Sequence, residues 1–143
     1  MKPPVLSAKE IETLLAKEFP QVFHPGSGLF VENVAWGEAR VRQAYNDKLI
    51  RPGGTISGPT MMALADFAMY VAVFSAAGAV PLAVTINLNI NFLRKPAQAD
   101  ILGDARLLKL GKRLAVGEVT IRSKGEDEPV AHVTSTYSIP PIR

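Results

Sequence analysis

The sequence predicts an α+β fold in which a strongly curved antiparallel β-sheet is wrapped around one long central apolar helix. Three observations predict it. Residues 59–77 are apolar on nearly every side, interrupted by a single carboxylate, Asp66. Four segments of alternating polar and apolar residues follow residue 83, divided by short turns. A helix without a polar face must be surrounded to be stable, and a curved sheet can surround it.

The elements follow in order. Ser7-Ala8-Lys9-Glu10 has the spacing of a capping box, in which the Ser7 hydroxyl accepts from the Glu10 amide while the Glu10 side chain reaches back. The helix after it presents Ile11, Leu14, Leu15 and Phe19 on one face and ends before Pro20. Residues 21–28, QVFHPGSG, read as a loop. Residues 29–35 and 38–45 read as a hairpin turning at Trp36-Gly37, and the polar, Gly- and Pro-containing stretch 46–54 as a loop. Pro59 suits the first turn of the long helix, which runs to about Ala77 and stops at Gly78. Strands are expected at 83–92, 101–110, 114–122 and 130–139, paired as an antiparallel meander. In the first, Val84, Ile86, Leu88, Ile90 and Phe92 are expected on one face, and Thr85, Asn87, Asn89 and Asn91 on the other.

Composition narrows the functional classes. The chain has 143 residues, 48% hydrophobic and 20% charged, which suits one domain over 1–143 with a sizeable core. It has no cysteine, so disulfides, thiolate metal sites and cysteine nucleophiles are excluded. The start, MKPPVLSAKE, has no apolar stretch leading to a small-residue cleavage site, and a cytoplasmic location is expected. A net charge of +3, with no aromatic residues interleaved in a basic run, gives no reason to expect a nucleic-acid partner. The apolar run 59–84 is long enough to cross a bilayer. Asp66 would cost roughly 2.5–3.5 kcal/mol at its centre, and Gly78 and Pro81 break the run, so no membrane partner is expected. His24 and His132 stand far apart with no carboxylate cluster at ligand spacing, so no metal is expected. No Ser-His-Asp constellation or G-x-S-x-G elbow can be read.

The remaining candidates each have a functional and a structural reading. Asp66 is either a buried acid satisfied by neighbouring groups or a catalytic carboxylate. Gly53, Gly54 and Gly58 either form a tight loop under a helix or let backbone approach a ligand at the helix N-terminus. Ser57 and Thr60 cap the helix or orient substrate. Asn91 belongs to a polar strand face that is solvated or lines a channel. Arg94, Lys112 and Arg113 are solvated turn residues or a basic rim for phosphates. Met61, Met62, Phe67, Met69 and Tyr70 are candidates for an adaptable apolar channel.

Ser57-Gly58-Pro59, then Leu64-Ala65-Asp66, then Asn89-Ile90-Asn91-Phe92-Leu93-Arg94 resemble, in order and offset, the motifs of hotdog-fold thioesterases of the PaaI-like (phenylacetyl-CoA thioesterase-like) group. There a His-Gly-Gly segment precedes a helix carrying Leu-Ala-Asp, and a strand resembling Asn-x-Asn-Phe-Leu-Arg follows. The resemblance spans about residues 20–140. It implies an acyl-CoA thioesterase, free of metal and cofactor, acting as a dimer or dimer of dimers. Asp66 would be general base or nucleophile, and the Gly58 amide would polarise the carbonyl. Ser57, Pro59, Thr60, Met62, Asn91, Arg94, Lys112 and Arg113 would contact substrate. Two departures stand out: Ser57 replaces the family His, and Pro59 replaces the second Gly and has no amide proton to donate. An Asn often found in the N-terminal region of the family has Gln21 and His24 as its local counterparts. A hydratase or dehydratase, for which His24 would complete a His–carboxylate pair, and a non-catalytic acyl-CoA binding module are the alternatives.

Helix geometry adds an expectation of its own. Gly58 and Asp66 are eight residues apart, about 12 Å along a helix. A reacting carbonyl must lie about 3 Å from each. If both act, they come from different chains.

Overall fold

The computed structural model describes residues 2–141. Helix α1 spans Ala8–Glu18, with the Ser7–Glu10 capping box formed in both directions. Strands β1 (Leu29–Ala35) and β2 (Glu38–Gln43) make the hairpin, followed by a short 3₁₀ turn at Asp47–Leu49. Helix α2 spans Gly58–Ala77 and ends at Gly78, whose φ of 86° suits glycine. Strands β3 (Val84–Phe92), β4 (Ile101–Leu110), β5 (Leu114–Ser123) and β6 (Pro129–Ser138) complete the chain.

The six strands form one antiparallel sheet in the order β1-β2-β4-β5-β6-β3. Helix α2 lies in its concavity, and twelve of its twenty residues are buried. Close approach is built into the sheet. A Cβ at Gly103 would meet Leu64 Cγ at 3.3 Å, and one at Gly117 would meet Met69 Sδ at 2.7 Å. Ile11 and Leu15 of α1 are fully buried. They belong to the same core as α2, so the helix is enclosed by protein.

Two expectations are corrected. The meander holds for β4-β5-β6, but β3 does not pair with β4. The side of β4 away from β5 is taken by β2 (Val41 opposite Gly103), so β3 pairs with β6 and becomes one edge of the sheet, β1 being the other. Alternation along a strand reports which face is buried, not which strand is the neighbour. The second correction concerns facing. A bulge between Thr85 and Asn87 breaks the period of β3. Thr85 turns toward α2, Leu88 and Ile90 are partly buried against the core, and Val84 and Ile86 are left 55% and 57% exposed.

Candidate active site

Asp66 sits on α2 where the helix passes the start of β3 and the end of β6. The Thr85 hydroxyl donates to Asp66 Oδ1 at 2.5 Å. The Tyr137 hydroxyl lies 2.8 Å from the same oxygen and 2.9 Å from the Asp66 carbonyl oxygen. Among the described residues Oδ2 takes no hydrogen bond. Asp66 is half-buried and borders a cavity of about 440 Å³ walled by Phe19, Phe67, Tyr70, Thr85 and Tyr137, with exposed Glu18 also on its border.

The walls are stiff. Phe23 stacks on Phe67 at 5.8 Å, Tyr70 stacks on Tyr137 at 6.0 Å, and Phe19 meets Tyr70 edge-on at 6.1 Å. Tyr70 spends its proton on Pro81 O at 2.6 Å. Burial, and then the nearby charge of Glu18, raise its phenol above the ordinary value. Tyr137 is pushed further up, first by burial and then by the negative charge of Asp66, so it stays a neutral donor.

Gly58 is the first residue of the same helix, and its amide is singled out by local chemistry. The Thr60 N–H is capped by Ser57 Oγ at 3.4 Å, and the Met61 N–H goes to Ser57 O at 3.2 Å. Pro59 has no N–H. Of the first four positions only the Gly58 N–H is free of an acceptor among the described residues, at the positive end of a twenty-residue helix. Gly58 borders a second cavity, of about 540 Å³, together with Arg51, Thr55, Met61, Phe92, Arg94 and Lys95. Phe92 covers it closely: a Cβ at position 58 would meet the Phe92 ring at 3.2 Å. Thr55 Oγ1 is buried beside this cavity without a hydrogen-bond partner.

Asp66 and Gly58 therefore open onto different cavities of one chain. Arg94 joins the Gly58 cavity while paired with Glu128. Ser57 and Thr60 serve the helix start. The Thr60 hydroxyl lies 2.9 Å from Ser57 Oγ and 3.3 Å from Leu49 O. Met62 is 41% exposed and borders neither cavity. Asn91 is exposed and paired in register with His132. Lys112 and Arg113 border a third cavity, of about 490 Å³, beside Val80 and Ile139. Within one chain they join neither of the other two. Of the apolar channel candidates, Phe67 and Tyr70 wall the Asp66 cavity and Met61 the Gly58 cavity. Met69 is fully buried against Gly117 and reaches neither. His24 is exposed and bonds to Pro25 O at 2.8 Å, outside the walls of the Asp66 cavity, as is Gln21.

Sequence reasoning missed Thr85, Tyr137 and Glu18. Thr85 is the one hydroxyl in a stripe otherwise of asparagines, which is a weak signal, and the bulge that turns it inward leaves no mark in the alternation. Nothing in the spacing connects residues 66 and 137.

Comparison with known proteins identifies the family of the chain. Residues 53–130 match the family model of the thioesterase superfamily. A candidate thioesterase from a Silicibacter species is 42% identical, and its crystal structure superposes with a TM-score of 0.83 over 96% of this chain and 94% of that one. A mutant of the phenylacetic acid degradation protein PaaI from Thermus thermophilus is 28% identical, with a TM-score of 0.69 over 79% of this chain and 94% of that one. A candidate esterase from Halobacterium salinarum is 36% identical over 100 residues, 66% of this chain, and the match spans 65% of that protein's length. The wrapped helix is thus the hotdog architecture, shared with PaaI proteins among its structural neighbours, and the chain belongs to the thioesterase superfamily.

Proposed function

We propose that the protein hydrolyses acyl-CoA thioesters at sites shared between two copies of the chain. Asp66 of one copy would act as general base or nucleophile, and the Gly58 N–H of the other would donate to the thioester carbonyl. The family and its relatives support acyl-thioester hydrolysis in general. The observation that carries the finer reading is that both half-sites end on one free edge strand. Asp66 is bonded to Thr85 near the start of β3, and Gly58 lies under Phe92 at its end.

An edge strand with unpaired backbone and exposed Val84, Ile86, Phe92 and Leu93 is built for another strand. The occupant that satisfies closed twofold symmetry is β3 of a second copy. Antiparallel pairing about the middle of the strand, near Leu88 and Asn89, would bring the Thr85 end of one copy beside the Phe92 end of the other. Asp66 and the free amide would then meet across the interface, twice per dimer. A dimer of dimers would leave these sites unchanged.

The chemistry follows from the two groups. Oδ2 takes a proton from water as the water oxygen attacks the thioester carbon. The carbonyl electrons move to oxygen, where the amide at the positive helix end stabilises them. Collapse re-forms the carbonyl and breaks the C–S bond, and the thiolate recovers the proton from Asp66. Direct attack by Oδ2 would instead break the C–S bond, expel the thiolate and give an anhydride, which water opens to the free acid and the Asp66 carboxylate. Neither route needs a metal or cofactor. The aromatic cavity beside Asp66 suits the acyl group. Arg51, Arg94 and Lys95 beside Gly58 suit the phosphates of coenzyme A.

The test is a panel of aryl, short, medium and long acyl-CoA esters followed by free-thiol release, with wild type and Asp66→Asn. Hydrolysis by wild type and its loss in a folded Asp66→Asn variant are expected. Hydrolysis that survives near wild type in Asp66→Asn overturns the assignment of the base. Crotonyl-CoA hydration without thiol release would favour a hydratase, and tight binding without turnover would favour a binding module.

A further inference from the structure

We infer that Tyr137 is a positioning residue: its hydroxyl holds Asp66 in the orientation that leaves Oδ2 as the reacting oxygen. The inference rests on the reading of Asp66 as base or nucleophile.

A phenol has one proton to give, and Tyr137 has two acceptors within reach, Asp66 Oδ1 at 2.8 Å and the Asp66 carbonyl oxygen at 2.9 Å. The carbonyl belongs to a residue inside α2, where the helix already supplies it with an N–H four residues on. The carboxylate is the stronger acceptor, and a bond to it is shorter and stronger than one between neutral groups. Thr85 donates to the same oxygen from β3. Two hydroxyls thus converge on Oδ1 and, among the described residues, none on Oδ2, so one oxygen is anchored while the other keeps its lone pairs for water or substrate.

Tyr137 is itself well fixed. It is 3% exposed, it lies on the inner face of β6, and its ring stacks on Tyr70. Burial and the Asp66 charge keep its proton in place. Of the cavity's described walls, Thr85 alone shares this work. Tyr70 on α2 is committed to Pro81 O, Glu18 at the end of α1 carries the wrong charge, and β3 offers Thr85 but nothing titratable. A tyrosine that merely filled the core would need no hydroxyl. This one has Asp66 as its acceptor.

The experiment is steady-state hydrolysis by Tyr137→Phe beside wild type and Asp66→Asn, using whichever of phenylacetyl-CoA and hexanoyl-CoA wild type turns over faster. Phenylalanine keeps the ring and its stacking, and Thr85 still bonds to Oδ1, so the melting temperature should fall by only a few degrees. The expected result is a drop in kcat of about tenfold, the weight of one hydrogen bond to a charged group, with KM within about twofold. A Thr85→Val, Tyr137→Phe double variant should fall further, because no donor then anchors Oδ1. The inference is overturned if Tyr137→Phe keeps kcat within twofold of wild type, or if KM rises while kcat holds, provided Asp66→Asn is inactive. Activity retained by Asp66→Asn is a different failure, that of the proposed function itself.

Discussion

The two ends of the α2–β3 pair are built on opposite principles. At the Asp66 end every polar group except one carboxylate oxygen and the exposed Glu18 is committed. Two hydroxyls hold one carboxylate oxygen, aromatic rings brace the wall, and the cavity carries little charge beyond Glu18. At the Gly58 end the groups are left open. One amide has no acceptor among the described residues, Phe92 is 52% exposed, and Arg51, Lys95 and Arg94, the last paired with Glu128, gather around a larger cavity. A group that must take and return a proton gains from being held in one geometry before substrate arrives. A surface that meets a long, charged leaving group gains from exposed cations. In the proposed reading, one chain carries two complementary halves rather than one complete site.

The strongest way to break the comparison is to disable one half at a time. Asp66→Ala should lower kcat about a thousandfold, within the range that general-base groups contribute. Gly58→Pro removes the amide at the other end and should also abolish most activity. Mixing equal amounts of the two inactive variants after unfolding and refolding together should restore about a quarter of wild-type activity, since half the dimers are mixed and each regains one of two sites. Native mass spectrometry would verify the mixed dimers, and their presence without recovered activity would rule out shared sites.

A smaller effect should separate the two ends kinetically. Arg94→Gln combined with Lys95→Gln should raise KM for an acyl-CoA by about three- to tenfold, leave kcat nearly unchanged, and weaken the dependence of KM on salt. A parallel loss of kcat would mean that these cations serve the chemistry and not the leaving group.

The start of α2 can be tested as structure. Ser57→Ala removes the oxygen that caps the Thr60 amide and should cost about 1 kcal/mol, read as a fall of a few degrees in melting temperature. The smallest effect concerns Asp100, which borders neither cavity. The Tyr45 N–H at 2.9 Å and the Arg42 guanidinium at 2.9 Å hold the Asp100 carboxyl below its ordinary value of 3.8. A depressed carboxyl stabilises the fold above the unfolded value and loses that contribution as pH falls through the folded one. Wild type should therefore melt higher than Asp100→Asn at neutral pH, with the gap closing in acid below about pH 4. A gap independent of pH would show that the side-chain shape, not its charge, matters there.

Much of this molecule was legible in its residues. The Ser7 capping box, the Pro59 start and Gly78 stop of α2, and the alternating segments are local signals, and each acts through the few residues around it. An acid inside an apolar helix marks itself, and a spacing of eight positions along the helix already sets Gly58 apart from Asp66. The pairing of β3 with β6, its bulge, and the convergence of Thr85 and Tyr137 on one carboxylate oxygen were decided by tertiary structure alone. The physical reason is one of range. Capping and periodicity depend on neighbours in the chain, whereas the partner of an edge strand and the donor to a buried oxygen depend on which surfaces remain when everything else has packed.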